Sequence, residues 1–181
     1  MTGGTIYTIG HSTRPIDTFV DMLRGGNVQC VVDVRTIPRS RTNPDYNLDS
    51  LPETLSRWQI RHRFIKALGG RRGRQKQVAA DVNGFWDNQS FHNYADYALS
   101  PEFLAGLHEL EQLARETCCA IMCSEAVWWR CHRRIIADYL IAGGWNVLHL
   151  MDRGRIEPAR MTPAASVAGE AITYPPPPQA W

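Results

Sequence analysis

The sequence has little net charge and no long apolar run. With 20 basic and 18 acidic side chains its formal charge is only +2, which is too weak a field to indicate nucleic-acid binding by itself. No stretch of about 18 apolar residues occurs, so no membrane-spanning helix is predicted. The first residues, MTGGTIYTIGH, lack the basic and then apolar pattern of a secretory signal. We therefore expect a cytoplasmic protein that does not contact a membrane.

Cysteine is present but is not arranged as a disulfide framework. The five cysteines are an odd number, and Cys118 and Cys119 are adjacent within an apolar run. Reduced thiols are therefore expected. A chain of 181 residues that is 44% apolar can bury one sizeable core, and a second full domain is not expected.

Strand and helix patterns alternate along most of the chain. Short apolar runs predict strands near residues 5–9, 30–34, 61–67, 118–122 and 146–150. Helical patterns lie between them, and Ser12 or Thr13 is expected to cap the first helix. The alternation predicts an α/β fold, a single three-layer domain over residues 1–160 with a mainly parallel sheet flanked by helices. Residues 161–181 are rich in alanine, threonine and proline, and predict an extended or disordered tail outside the core.

Polar side chains follow three of the predicted strands. His11 follows the first strand, Asp33 and Arg35 end the second, and Cys123 and Glu125 end the fourth. Ligand sites in parallel sheets lie beyond the carboxyl ends of the strands. We therefore expect these side chains to share one site.

Six short segments, in order along the chain, resemble a known family. They are IGHS at 9–12, DVR at 33–35 with PRSR at 38–41, LGG at 68–70, YADY at 94–97, MCSE at 122–125 and CHR at 131–133. Together they resemble the family catalogued as domain of unknown function 488, over roughly residues 5–152. The resemblance implies an α/β fold and a site built from these motifs. It implies no particular activity, so the chemistry has to be argued from the residues.

Two arginine clusters flank the predicted strand ends. They comprise Arg35, Arg39 and Arg41 in one loop, and Arg130, Arg133 and Arg134 in another. Arginine suits planar, bidentate contacts with phosphate or carboxylate, and a helix N-terminus adds backbone donors. The predicted anion-binding side chains are Arg35, Arg39, Arg41 and Arg133, with Ser12, Asp33, Cys131 and His132 also expected at the substrate. The alternative is that these arginines form structural ion pairs with Asp33 or Glu125.

Glu125, His11 and Cys123 are the candidate catalytic residues. A carboxylate directly after a buried strand is suited to general acid or base work, and a histidine at a strand end is suited to moving a proton. Cys123 is a candidate nucleophile. However, six residues separate Cys123 from Arg130, one more than a Cys-x5-Arg phosphate loop allows, and Glu125 would repel an anion there. A buried, inert cysteine is the alternative.

A metal ion is the less favoured interpretation of the same residues. Cys123, Cys131 and His132, with His11 as a fourth ligand, have suitable chemistry for zinc, but their spacing is not that of paired Cys-x2-Cys knuckles. Magnesium on Asp33 and Glu125 would need further carboxylates. We therefore expect neither a metal nor a cofactor.

The sequence leaves three functional hypotheses open. The leading one is a small enzyme acting on a phosphate-bearing substrate, a nucleotide or nucleic acid, with an arginine-rich anion site and Glu/His acid–base residues. The second is a non-catalytic nucleic-acid-binding or regulatory module, which the basic loop of Arg71, Arg72 and Arg74 would also serve. The third is a thiol-dependent enzyme that uses Cys123. Trp128 and Trp129 are expected to pack as anchors rather than to stack on a base.

Overall fold

The computed structural model of the protein describes residues 3–180. Its strands are β1 (Thr5–Gly10), β2 (Cys30–Asp33), β3 (Arg61–Phe64), β4 (Cys119–Cys123), β5 (Asn146–Asp152), β6 (Arg155–Pro158), β7 (Ser166–Ala168) and β8 (Ala171–Thr173). Its α-helices are α1 (Ile16–Gly25), α2 (Leu51–Ser56), α3 (Gln89–Tyr97), α4 (Pro101–Glu116) and α5 (Arg133–Ala142). Within residues 3–180, no helix combines the length and the apolar character that a membrane crossing requires.

The main sheet has six strands in the order β3-β2-β4-β1-β5-β6. Strands β1 to β5 are parallel, and β6 pairs with β5 in the antiparallel direction. The register pairs Gly10 with Cys123 and Asp33 with Met122. The carboxyl ends of β2, β4 and β1 therefore lie side by side at one edge of the sheet.

Helices cover both faces of this sheet. Along β4, Ala120 and Met122 join the core formed with α1 and α2, while Ile121 and Cys123 join the core formed with α3, α4 and α5. Strand β4 is buried throughout, as expected for a central parallel strand covered on both faces. The predicted α/β domain with a mainly parallel, helix-flanked sheet is confirmed.

The start of α1 differs from the prediction. The residue before the helix is Pro15, and no side chain caps it. Ser12 instead has a φ of 45°, in the left-handed region that L-residues rarely adopt. Its N–H donates to the carbonyl of Ser124, and its carbonyl accepts from the His11 ring. The backbone of Ser12 therefore joins two strand-end loops and does not start the helix.

The C-terminal segment also differs from the prediction. Strands β7 and β8 form a hairpin, and Ile172 and Tyr174 are completely buried in the core. The Tyr174 hydroxyl donates to the carboxylate of Asp138 on α5 at 2.8 Å, and its N–H donates to the side-chain oxygen of Asn83. The expectation of a tail outside the core is wrong for this hairpin, because overall composition conceals two large apolar side chains. The proline run that follows is exposed and lacks regular structure.

We predict that Tyr174→Ala lowers the free energy of unfolding by about 3 kcal/mol, because it leaves a cavity and removes the hydrogen-bond donor to Oδ2 of the buried Asp138 carboxylate. Urea denaturation measures this. Val167→Ala lies in the same hairpin at a half-exposed position, and should change the stability by less than about 0.5 kcal/mol. Equal, small effects from both substitutions would show that the hairpin does not belong to the core.

Candidate functional site

A cleft of about 920 Å³ opens at the carboxyl ends of β2, β4 and β1. Seven of the predicted site residues line it, namely His11, Arg35, Arg39, Cys123, Glu125, Cys131 and His132. Segments that are far apart in the chain therefore meet at one opening, as the strand-end argument predicts. Side chains that were not expected there include Asn43, Asn88, Ser90 and Phe91.

A buried ion pair forms the floor beside β2. The Arg35 guanidinium donates to both carboxylate oxygens of Asp33, at 2.9 and 2.6 Å, and to the carbonyl of Tyr46 at 2.7 Å. Burial alone would raise the pKa of Asp33, but the bonds from Arg35 and His62 outweigh it and hold this pKa below its usual value. Most donors of Arg35 are thus committed within the protein. Asp33 positions Arg35 and does not itself line the cleft.

His11 is held as a neutral ring next to this pair. Its Nδ1 donates to the carbonyl of Ser12 at 2.8 Å, which leaves Nε2 to accept from Arg35 at 3.3 Å. The Tyr46 ring stacks on it with the centroids 4.3 Å apart. Burial, assisted by Arg35, lowers the pKa of His11 to about 4. With both nitrogens engaged, this geometry favours positioning of Arg35 over the predicted proton transfer.

Arg133 lies behind the cleft rather than in it. Its side chain is 1% exposed, and it donates to the Glu125 carbonyl at 2.6 Å, to the Thr8 hydroxyl at 3.2 Å and to the Cys131 sulfur at 3.3 Å. The prediction that Arg133 contacts the substrate is therefore not matched by its position. Its donors are used to fix the loop between β4 and α5.

Two cysteines and a histidine meet at the cleft wall. The sulfurs of Cys123 and Cys131 lie 4.0 and 3.5 Å from Nδ1 of His132. The hydrogen bond to Cys131, together with burial, raises the pKa of Cys123 to about 12. Burial would also raise the pKa of Cys131, but the bond from Cys123 and the Arg133 guanidinium lower it to about 6. Cys123 is thus the protonated member of the pair, which disfavours it as the nucleophile.

The Glu125 side chain is exposed and lines the cleft. Its backbone is fixed, because its carbonyl accepts from Arg133 and packs against the end of β1. A Cβ atom on Gly10 would lie 1.8 Å from that carbonyl oxygen, so only glycine permits this approach. The loop therefore presents one carboxylate to the opening from a rigid support.

Four further arginines line the cleft, from the two predicted arginine-rich loops and from the glycine-rich loop. Arg71 and Arg130 are exposed, and within residues 3–180 their guanidinium groups have no hydrogen-bond or ion-pair partner. Arg39 makes only a loose 3.8 Å contact with Asp49. Arg72 is fixed, because it lies 3.9 Å over the Tyr97 ring and donates to two carbonyls. The glycine-rich loop is thus part of the cleft.

Two other predicted site residues, Ser12 and Arg41, lie outside the cleft lining, as do Trp128 and Trp129. Ser12 contributes its backbone to the loop junction. Arg41 is exposed and lies beyond the lining. Trp128 stacks on His149, with the centroids 4.7 Å apart, while Trp129 is 44% exposed. Neither tryptophan is among the lining residues.

Comparison with known protein families decides the relationship that the motifs suggest. A family model described as domain of unknown function DUF488 matches residues 15–140, well over half of the chain. The chain belongs to the DUF488 family. Comparisons of this DUF488 protein with curated proteins and with solved structures found no match.

Some contributors to the site in this DUF488 protein carry no sequence signal. Tyr46 supplies a stacking ring and a carbonyl from a short 3-10 helix, Pro44–Tyr46, which is separated in sequence from the end of β2. His62 lies on β3, and its ring contacts Asp33 at 3.3 Å. Arg71 was identified only as part of a basic loop. The glycines around it were the available signal, since such loops often approach ligands closely.

A buried hydrogen-bond chain runs from Arg133 to β5. The Thr8 hydroxyl accepts from Arg133 and lies 2.7 Å from Nδ1 of His149, to which it can donate its own proton. Burial and the Arg133 charge lower the pKa of His149 to about 4, although Glu157 opposes this shift.

We predict that acidification destabilises the protein partly through His149. Because its folded pKa is below the unfolded value of about 6.5, the unfolded state binds more protons as the pH falls from about 6.5 toward 4. His149→Gln still accepts the Thr8 proton but does not titrate. It should reduce the stability difference between pH 7 and pH 5 by about 1–2 kcal/mol.

Denaturant titrations at both pH values measure this effect. Asn146→Gln, at an exposed position without a titratable group on the same strand, is the control and should leave the pH dependence unchanged. An unaltered pH slope in His149→Gln would contradict the neutral, buried assignment.

Proposed function

We propose that this DUF488 protein is a small enzyme that acts on a phosphate-bearing substrate, a nucleotide or a nucleic-acid end, bound in the strand-end cleft. The observation that carries the proposal is the charge of the lining. Five arginines line the cleft, and within residues 3–180 Glu125 is the one carboxylate among the lining residues. A small ligand with several anionic oxygens suits such a surface.

The arginines divide into two groups with different roles. Arg35 and Arg72 are already held by carboxylate, carbonyl or aromatic partners. They therefore shape the cleft wall and add to its positive electrostatic potential. Within residues 3–180, the guanidinium groups of Arg71 and Arg130 have no partner, and Arg39 has only its loose contact with Asp49. Arginine forks make bidentate bonds with phosphate oxygens. These three side chains are therefore assigned to the anion, in place of the predicted Arg41 and Arg133.

The dimensions of the cleft also suit a nucleotide. Small-molecule sites usually enclose about 300–1,000 Å³, and this cleft has about 920 Å³. Asn88 offers its amide N–H, since its side-chain oxygen caps α3, and Ser90 offers its hydroxyl. Phe91 offers a half-buried ring, one face of which stacks on Trp86. Such groups complement the sugar and base of a nucleotide.

Glu125 is assigned as the general acid or base. It is the one carboxylate in a cationic lining, and its backbone is fixed from two sides. A positioned carboxylate of this kind contributes to proton transfer at an attacking water or a leaving group. His11 supports Arg35 and is not assigned a proton-transfer step.

We predict that Arg39→Gln, Arg71→Gln and Arg130→Gln each weaken the binding of pyrophosphate and of adenosine monophosphate by about three- to tenfold, because each removes one charge-assisted contact. Isothermal titration calorimetry measures the affinities. Arg74→Gln is the matched control, since Arg74 belongs to the same glycine-rich loop as Arg71 but does not line the cleft.

Equal affinities in all four variants would contradict the anion assignment. A single-stranded oligonucleotide should be tested in parallel. If it binds much more tightly than the nucleotide, with an affinity that falls steeply with salt, and no turnover is found, the non-catalytic nucleic-acid-binding alternative replaces the enzyme proposal.

We predict that Glu125→Gln lowers turnover of p-nitrophenyl phosphate or bis(p-nitrophenyl) phosphate, whichever the protein hydrolyses, by about 10²–10⁴-fold. Pyrophosphate affinity should stay the same or rise slightly, because a negative charge leaves the anion site. Release of nitrophenolate measures the rate. Full activity in Glu125→Gln would contradict the assigned role.

A further inference from the structure

The cluster of Cys123, Cys131 and His132 has the dimensions of a metal site. All three potential ligand atoms lie within 4.8 Å of one another. With Zn–S bonds of about 2.3 Å and a Zn–N bond of about 2.1 Å, tetrahedral zinc requires S···N separations of about 3.6 Å. The two observed separations, 3.5 and 4.0 Å, bracket this value. Small side-chain rotations therefore suffice to complete the site.

His132 is oriented in advance as a ligand. Its Nε2 lies 2.8 Å from the carbonyl of Val34, and because a carbonyl only accepts, the ring proton is on Nε2. The lone pair of Nδ1 therefore faces the two sulfurs. A histidine that donates its other N–H to a backbone carbonyl is the usual second-shell arrangement of metal-bound imidazole.

The His132 ring has little freedom to turn away. The Tyr94 ring contacts it edge-on, with the centroids 5.0 Å apart. The backbone at Gly70 packs so closely that a Cβ atom there would lie 2.3 Å from Nδ1. Gly70 and His132 belong to the LGG and CHR segments, which both carry the resemblance to the family. Their close contact explains why a glycine is needed at position 70, since a larger residue would collide with the His132 ring. The ligand is thus held in place without the metal.

The charges around Cys131 favour a thiolate. Arg133 is buried, and within residues 3–180 no carboxylate forms an ion pair with it. Its backbone N–H and its Nε both donate to the Cys131 sulfur, at 3.5 and 3.3 Å. A buried cation is costly unless an anion compensates its charge. The Cys131 sulfur, as a thiolate, would be that anion. Metal-bound thiolates commonly accept such hydrogen bonds.

The position left for a fourth ligand faces the cleft. All three cluster residues line the opening, whereas both ring nitrogens of His11 are engaged with Ser12 and Arg35. His11 is therefore not the fourth ligand. Three protein ligands with one open position are typical of catalytic zinc, in contrast to the four-ligand sites of structural zinc.

We propose that this DUF488 protein binds one zinc ion through Sγ of Cys123, Sγ of Cys131 and Nδ1 of His132, with the fourth position open to the cleft. Two thiolates balance the charge of the ion, and the lone pair of His132 gains a partner. The open position takes water or a substrate oxygen. The site does not depend on the phosphate proposal, since none of the arginines assigned to the anion belongs to it.

Metal titration of the reduced, metal-stripped protein tests this proposal. Zinc should bind at one equivalent, with sub-micromolar affinity, in competition with a chromophoric chelator. Cobalt(II) should give the visible bands of tetrahedral coordination and a near-ultraviolet thiolate charge-transfer band. Cys123→Ser, Cys131→Ser and His132→Asn should each weaken zinc binding by at least about tenfold.

Cys118→Ser is the matched control, because this half-buried thiol lies on the opposite side of the sheet and contacts Gly26. It should bind zinc as the wild type does. Cys131→Ser also disturbs the contact with Arg133, so circular dichroism must verify folding. If that variant unfolds, the protection of Cys123 and Cys131 from alkylation by zinc in the wild-type protein, mapped by mass spectrometry, provides the same test.

The proposal is overturned if the reduced protein takes up no stoichiometric zinc, if cobalt gives only the weak spectrum of six-coordinate oxygen ligation, or if Cys123→Ser binds zinc like the wild type. Pyrophosphate binding measured with chelator present separates the two proposals. Loss of zinc binding with intact arginine-dependent pyrophosphate binding refutes the metal site alone.

Discussion

The buried guanidinium of Arg133 is the contact on which the candidate site depends. It joins β1 through Thr8, the loop after β4 through the Glu125 carbonyl, and the start of α5 through Cys131. Burying an arginine without a carboxylate is costly unless every donor is satisfied. The surrounding groups therefore have little freedom. The same bonds that stabilise this cation fix the loop that carries Glu125, Arg130 and Cys131.

The close approach of two backbones complements this contact. Gly10 ends β1 where a side chain would collide with the Glu125 carbonyl, and the adjacent His11 supports the ion pair of Asp33 and Arg35. The inner wall of the cleft is thus rigid, because its charged groups are hydrogen-bonded to one another. The outer wall consists of arginines from loops that have no committed partner. A fixed inner wall, together with arginine donors on the outer wall that can bind a ligand, is an arrangement suited to anion recognition.

The fold and the position of the candidate cleft were predictable from the sequence, because both follow from periodicity and from strand ends. The apolar runs identify buried strands, and polar residues immediately after them belong at one edge of a parallel sheet. The roles of individual residues were less predictable. Arg35 and Arg133 are both arginines that follow neighbouring strands. Arg35 nevertheless lines the cleft, whereas Arg133 is buried behind it. Only the tertiary contacts of each arginine show which of the two positions it occupies.

The C-terminal segment and the cysteine–histidine cluster also differ from what the sequence predicts, because both depend on tertiary contacts. Composition marked the C-terminal segment as an unpacked tail, although two side chains, Ile172 and Tyr174, are enough to dock it. Ligand spacing in the sequence argued against zinc, because Cys123 and Cys131 do not form a knuckle. Their convergence depends on the loop held by Arg133 and on His132 turning its Nδ1 inward. Such contacts link residues that no local pattern connects.

Whether the strand-end cleft binds oxyanions can be decided by a crystal structure of the protein grown with tungstate. Tungstate has the shape and charge of a phosphate, and its anomalous signal locates it without bias. We expect a tungsten peak inside the cleft, in contact with at least two of Arg39, Arg71 and Arg130. A cleft without tungsten, in crystals where tungstate binds elsewhere on the surface, would contradict this expectation.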